Sequence, residues 1–217
     1  DPWLNRFIVC TGYKGEVIKQ YFKDFDSYNS DIRVTAHGTH SLGEKSNFPD
    51  SLEVIVADTG QKTNTGGRLH VARKYVETDK VIVVYGDGLA NVNVASLLQF
   101  HDRREEMSTI TTTKPRNRFG VVNTDTNNKV QSFSEKPLLT TPINIGFYVF
   151  PSSFLDDLSG DPVLEQDPIT RLASHGQLAA FEHEGFWEPM DTYREYLFLN
   201  ALWDSESKAP WLVPHSK

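Results

Sequence analysis

Two carboxylates far apart in this chain offer its clearest chemistry: Asp87 in Tyr85-Gly86-Asp87-Gly88, and Asp191 in Phe186-Trp187-Glu188-Pro189-Met190-Asp191-Thr192. Brought together by a fold, two such acids can hold one divalent metal ion, with water and phosphate oxygens completing the shell. Glu135-Lys136-Pro137 lies between them and adds an acid and a cation ahead of a proline. Lys14, Arg68, Arg118 and Lys136 each stand beside a short motif, which suits a small phosphorylated ligand. Thr65-Gly66-Gly67-Arg68 has glycines that allow close backbone approach, and N–H groups at a helix start could meet a phosphate or a base.

A plainer reading of each motif stays open. Gly86-Asp87-Gly88 fits a tight turn, Asp191 fits a helix cap, and Glu135-Lys136 fits a solvated pair. Thr65 to Arg68 fits a loop ahead of a helix. The order of the motifs along the chain is more informative than any one of them.

The elements that must carry these residues read as an α/β alternation, short β-branched runs separated by helical patterns. Phe7 to Cys10 reads as a buried strand followed by a turn at Gly12-Tyr13-Lys14-Gly15. Val17, Ile18, Tyr21, Phe22 and Phe25 then recur at helical spacing, which predicts one apolar helix face. Ile32 to Thr35 and Leu52 to Ala57 read as strands around a polar loop from Gly38 to Asp50. Val81-Ile82-Val83-Val84 has the continuous apolar character of a parallel strand covered on both faces, and it delivers Asp87 at its carboxyl end, where ligands collect in open sheets. A helix through Val94, Leu97 and Leu98 and a strand through Ile110 to Thr113 follow. Gly120 to Asn123 and Val130 to Phe133 flank Asp125-Thr126-Asn127-Asn128 as a hairpin. Asp167-Pro168 starts a helix that Gly176 stops. Thr192 and Glu195 have capping-box spacing, which sets Asp191 just before a helix N-terminus, where the macrodipole favours an ionised carboxylate.

The chain has 217 residues, 38% hydrophobic and 24% charged, the balance of a soluble protein with one large core, and residues 1–217 read as a single domain. A formal net charge of -7 argues against a nucleic acid partner. No apolar run approaches the roughly 20 residues of a membrane helix, and Asp1-Pro2-Trp3 lacks the pattern of a secretion signal, so a cytoplasmic address without membrane contact is expected. Cys10 is the sole cysteine; its apolar run marks a buried structural thiol and excludes an intramolecular disulfide.

The ordered motif set resembles the sugar-1-phosphate nucleotidylyltransferases, and most closely the glucose-1-phosphate cytidylyltransferases. The resemblance runs from about Asn5 to Trp211. It is carried by Gly12-Tyr13-Lys14-Gly15, Asp58-Thr59-Gly60, Thr65-Gly66-Gly67-Arg68-Leu69, Tyr85-Gly86-Asp87-Gly88, Arg118-Phe119-Gly120 and Glu135-Lys136-Pro137. Ala180-Phe181-Glu182-His183, Gly185-Phe186-Trp187, Pro189-Met190-Asp191-Thr192 and Lys208-Ala209-Pro210-Trp211 complete it; the last two are the most particular. The resemblance implies a Rossmann-like α/β nucleotidyltransferase fold with a mixed, mostly parallel sheet. It also implies transfer of CMP from CTP to glucose 1-phosphate, giving CDP-glucose and pyrophosphate. Carried over residue by residue, Asp87 and Asp191 would hold Mg²⁺ and Lys136 would neutralise the sugar phosphate. Glu135 and Asn144 would meet the sugar hydroxyls, with Tyr85 and Gly86 on the substrate side. Thr65, Gly66, Gly67 and Arg68 would line the nucleotide.

The sequence departs from the family pattern in identifiable places. The family's first strand, its Gly-Gly-x-Gly-Thr-Arg-Leu loop and its Lys-Pro-Met segment are not in this sequence. The expectation is reduced catalysis, with a binding or assembly remnant as the alternative function. Open sheet edges beside Phe7 to Cys10 and Val81 to Val84 imply a homo-oligomer or an exchanged strand. Ile145 stands where the family has a glycine and is expected to crowd the sugar. Asn91 and Asn93 stand where acids are common.

Overall fold

β-Branched runs build the strands, and pairing between distant runs positions the carboxylates. The structure, a computed structural model, describes residues 4–42, 48–104, 107–205 and 207–213. The chain divides into two compact units, Asp1–Asp79 with Ser152–Arg171, and Lys80–Pro151 with Leu172–Lys217.

In the first unit β1 (Arg6–Thr11) is followed by α1 (Gly15–Lys23), α2 (Phe25–Tyr28), β2 (Ile32–Thr35), β3 (Gly38–Ser41), β4 (Glu53–Asp58) and α3 (Thr65–Ala72). The expected strands Phe7 to Cys10 and Leu52 to Ala57 become β1 and β4, paired in parallel from Arg6↔Glu53 to Thr11↔Asp58. The predicted loop from Gly38 differs: Gly38–Ser41 pairs antiparallel with β2 as a hairpin, because the tight turn at 36–37 lets the polar run fold back in register. Residues 43–47 of that loop lie outside the described residues. The spacing of Val17 and Tyr21 does give a helix, but both side chains stand exposed, at 60% and 47%. The core of this unit is drawn instead from Ala57, Ala72, Leu155, Leu158 and Leu164.

The second unit holds β5 (Lys80–Val84), β6 (Gly88–Ala90), α4 (Val94–Asp102), β7 (Ser108–Thr113), β8 (Val121–Thr124), β9 (Val130–Ser134) and β10 (Ile143–Pro151). After α5 (Asp167–Ser174), which begins in the first unit, come β11 (Leu178–Glu182), β12 (Trp187–Pro189) and α6 (Tyr193–Trp203). Four strands form a mixed sheet in the order β11-β7-β10-β5, with β11 parallel to β7 and β10 antiparallel to both β7 and β5. These strands build the α/β class with the mixed sheet that the resemblance implies, but the sheet is not mostly parallel: of its three pairings only β11 with β7 is parallel. Val81 to Val84 does form a strand, but an antiparallel edge one with Val84 48% exposed. An apolar run identifies a strand without fixing its direction. Val92, Leu97, Ile145 and Val149 form the buried cluster of this unit, and Trp187 and Phe181 pack against it. Among the described residues no helix is long and apolar enough to cross a membrane.

Candidate functional site

Asp87 lies in the turn after β5 and Asp191 stands two residues beyond β12, so the geometry depends on how β12 meets β6. The two short strands pair antiparallel with Trp187↔Ala90 and Pro189↔Gly88. One step beyond, the Met190 N–H donates to the Asp87 carbonyl at 2.6 Å. The pairing therefore brings the two acid-bearing segments, remote in sequence, side by side. The other end is locked twice: Asn91 N–H donates to the Phe186 carbonyl at 3.1 Å, and the Phe186 N–H donates to Asn91 Oδ1 at 2.7 Å. Asn91 thus clamps the strand that carries Asp191, while Asn93 Oδ1 accepts from Ser96 N–H at 3.0 Å and caps α4.

Asp191 is held by the start of α6. The capping box is complete, with Thr192 Oγ1 accepting from Glu195 N–H at 3.3 Å. Glu195 Oε2 reaches back to the N–H groups of Asp191 at 2.8 Å and Thr192 at 2.9 Å. Arg118 bonds Glu195 Oε1 at 2.7 Å and lies 3.6 Å from Asp191 Oδ2. Burial pushes the Glu195 carboxyl up, but the backbone donors at 192 and 191 together with Arg118 outweigh it and leave it below its ordinary value. Glu188 on β12 moves the other way, raised by burial and by the nearby Glu195 charge. Sequence reading did not find the Arg118–Glu195 pair, because it joins a loop to a helix with no local pattern.

The Asp87 carboxylate is exposed and has no hydrogen-bond or ion-pair partner among the described residues. Two hard-oxygen donors on adjoining segments fit magnesium, which takes one or two carboxylates and keeps water and phosphate in its remaining positions. Among the described residues no three His, Cys, Asp or Glu side chains gather into a closed metal cage, and this donor set does not require one.

Glu135 and Lys136 follow β9. Lys136 adopts φ 45°, a left-handed conformation that costs about 1 kcal/mol or more for a side-chain-bearing residue and is rarer still ahead of a proline. The bridge Arg116↔Leu138 and the Asn117 N–H bond to the Pro137 carbonyl at 2.8 Å hold it there. Its ammonium lies 3.7 Å from Glu135 Oε1, an exposed pair of small energetic value. Among the described residues neither side chain ion-pairs with Asp87 or Asp191.

Tyr85 and Asn144 do come together. Tyr85 N–H donates to the Gly146 carbonyl at 3.0 Å, and the Tyr148 hydroxyl stands between the Asn144 amide and the Tyr85 hydroxyl. Ile145 does not crowd a ligand as expected. Side chains alternate along a strand, so exposed Asn144 is followed by Ile145 at 3% exposure inside the core cluster. Gly86 is exposed in the turn before Asp87.

Thr65, Gly66, Gly67 and Arg68 belong to the first unit, at the start of α3. Thr65 Oγ1 donates to Glu165 Oε2 and accepts from Leu164 N–H, each at 2.8 Å. Gly66 N–H donates to the Pro162 carbonyl at 3.0 Å, and a Cβ at Gly67 would fall 2.0 Å from Asp161 Oδ1. These glycines admit the 161–165 segment. The Arg68 guanidinium donates to the Thr11 carbonyl at 3.1 Å, the Gly60 carbonyl at 2.9 Å and Thr59 Oγ1 at 2.8 Å, tying together the ends of β1 and β4. Cys10 beside it is partly buried, and burial pushes its thiol up.

Against known proteins, residues 4–201 match the nucleotidyl transferase family. The glucose-1-phosphate cytidylyltransferase of Salmonella typhi is 40% identical over 212 residues, 96% of this chain and 81% of that protein. HddC from Yersinia pseudotuberculosis superposes with a TM-score of 0.59 at 21% identity, over 91% of this chain and 78% of that one. HddC complexed with GMP-PN superposes with a TM-score of 0.57 at 18% identity, over 88% and 75%. At these identities the structural likeness speaks for the fold.

Proposed function

The chain belongs to the nucleotidyl transferase family, and from that premise we propose that it transfers CMP from CTP to glucose 1-phosphate, as its Salmonella relative is named for doing. A phosphate oxygen of the sugar attacks the α-phosphorus in line, the new P–O bond completes CDP-glucose, and the bond to the β-phosphate breaks to release pyrophosphate. Such chemistry asks the protein mainly for positioning and charge neutralisation. Magnesium, when bound, supplies positive charge at the reacting phosphate oxygens.

In this reading Asp87 and Asp191 are the protein ligands of that ion. Glu195 and Arg118 keep the Asp191 backbone in place. Lys136 neutralises the sugar phosphate, and its strained backbone is the cost of presenting the ammonium from a turn. Glu135 and Asn144 exchange hydrogen bonds with sugar hydroxyls, with Tyr85 and Gly86 beside them. Thr65, Gly66 and Gly67 serve the nucleotide through backbone shape, and Arg68 organises the strand ends rather than contacting phosphate itself.

The observation that carries the reading is the β6–β12 pairing with its Met190-to-Asp87 bond, which sets the two acids on adjoining segments. Pyrophosphate release from CTP, glucose 1-phosphate and Mg²⁺ tests it. The expected result is release that requires all three and falls by two orders of magnitude or more in Asp87→Asn, about what loss of a key charge-stabilising group costs. Release unchanged in Asp87→Asn would sink the assignment. We also infer self-association: β1 and β5 each lack a second strand neighbour among the described residues, and Phe7 on β1 is 45% exposed. A monomer by light scattering would contradict it.

A further inference from the structure

Tyr148 is fully buried, at 0% exposure, yet its phenol oxygen is shared between two residues of the sugar-side cluster. Asn144 Nδ2 donates to that oxygen, and the Tyr148 O–H donates to the Tyr85 hydroxyl oxygen at 3.3 Å. The polarity of this chain is forced. A phenol has one proton; Tyr148 accepts from the Asn144 amide, and its own proton, buried with no other acceptor among the described residues, goes to Tyr85. Tyr85 then keeps its hydroxyl proton without an acceptor among the described residues.

The far end is equally fixed. Gly146 N–H donates to Asn144 Oδ1 at 2.9 Å, so the amide cannot flip without losing both bonds. Asn144 is exposed, and among the described residues its second N–H and the remaining lone pair of Oδ1 have no partner. A register shift between Asn144 and Tyr148 in the β7–β10 ladder makes room for this arrangement. Burial pushes the Tyr148 phenol up, so it stays protonated well past neutral pH.

We propose that Tyr148 is a positioning and specificity-determining residue for the sugar. Its hydroxyl orients the Asn144 amide and sets the donor direction of Tyr85, so the pair offers two donors and one acceptor to adjacent hydroxyls of a hexose phosphate. The proposal rests on the reading of Asn144 and Tyr85 as sugar-side residues. Phenylalanine at 148 would fill the same core volume and remove the hydroxyl that both partners bond.

The test is calorimetric titration of the full chain with glucose 1-phosphate, its 4-epimer galactose 1-phosphate, and CTP, for the parent, Tyr148→Phe and Asn144→Ala. Tyr148→Phe is expected to weaken glucose 1-phosphate binding about three- to tenfold, the effect of one hydrogen bond, to narrow the preference over the epimer, and to leave CTP within about twofold. Asn144→Ala is expected to lose at least as much sugar affinity. If Asn144→Ala loses sugar affinity while Tyr148→Phe keeps affinity and epimer preference, the role of Tyr148 is overturned and the sugar site stands. If Asn144→Ala changes nothing, or the parent binds CTP but not the sugar phosphate, the underlying site reading fails and this proposal with it. Equal weakening of both ligands in Tyr148→Phe, with a lower melting temperature, marks a purely structural residue and also overturns it.

Discussion

Gly146→Ala probes the tightest packing in the sugar-side cluster. Gly146 has φ 78°, where an alanine costs about 1–2 kcal/mol against its Cβ–carbonyl contact. An added Cβ would also lie 2.8, 2.9 and 3.0 Å from Cδ2, Cγ and Cβ of Tyr85. Ring rotation cannot relieve this, because Tyr85 Cβ is one bond from a backbone whose N–H is tied to Gly146 itself. Overpacking of this kind adds about 1–3 kcal/mol, for a total of about 2–5 kcal/mol. For a chain of this size each kcal/mol moves the melting temperature by about 2–4 °C, so a fall of at least about 4 °C is expected. Thermal unfolding followed by circular dichroism measures it. Calorimetry with glucose 1-phosphate should show a parallel loss of affinity, because the displaced ring carries the Tyr85 hydroxyl. A variant that melts within about 2 °C of the parent would refute the reasoning.

Further outcomes follow from the same contacts. Thr192→Ala removes the cap of α6 and should cost about 1 kcal/mol in urea unfolding, with metal affinity falling because Asp191 is next in the chain. Glu195 has a folded-state value below the ordinary 4.5, so its contribution is present above that pH and lost as pH falls through the depressed value. Glu195→Gln should therefore be less stable than the parent at pH 6, with the gap closing in acid; a pH-independent gap would count against the clamp. Glu188 is raised above the ordinary 4.5, so its contribution is full below that pH and disappears as pH rises through the elevated value. Glu188→Gln should accordingly stabilise the protein at neutral pH and not at pH 4, and a neutral-pH loss would contradict this sign. Arg68→Met strands the Gly60 carbonyl, while the Thr11 carbonyl keeps its two bonds from Thr59, and should destabilise by about 1–3 kcal/mol, whereas a stable variant that only loses CTP affinity would restore a direct ligand role to Arg68.

Much of the local structure was legible because it rests on local physics. Thr192 and Glu195 announced the α6 cap, the Asp125 to Asn128 turn announced the β8–β9 hairpin, and the β-branched runs announced β1, β4, β5 and β7. The longest strand, β10, was not read, because Asn144 and Gly146 interrupt its alternation and a register shift resets its pairing. The strands that join the two acids were equally hidden. Gly88–Ala90 and Trp187–Pro189 are three residues each, contain glycine and proline, and become strands only by meeting one another. The site was therefore visible through the order of its motifs, while the contacts that assemble it are non-local. Ile145 shows the complementary error: its type suggested obstruction, and strand alternation turns it into the core instead. Asn93 carried a readable cap signal ahead of the apolar run from Val94, whereas nothing local marks Tyr148 or Asn91.

The central claim, that Asp87 and Asp191 share one metal ion, is tested most directly by Mn²⁺ titration of the parent, Asp87→Asn, Asp191→Asn and the double variant. A shared ion predicts strong non-additivity: each single substitution should remove nearly all of the affinity that the double removes. Losses that simply add, or a single variant that binds Mn²⁺ as the parent does, would show that the two carboxylates do not act on the same ion.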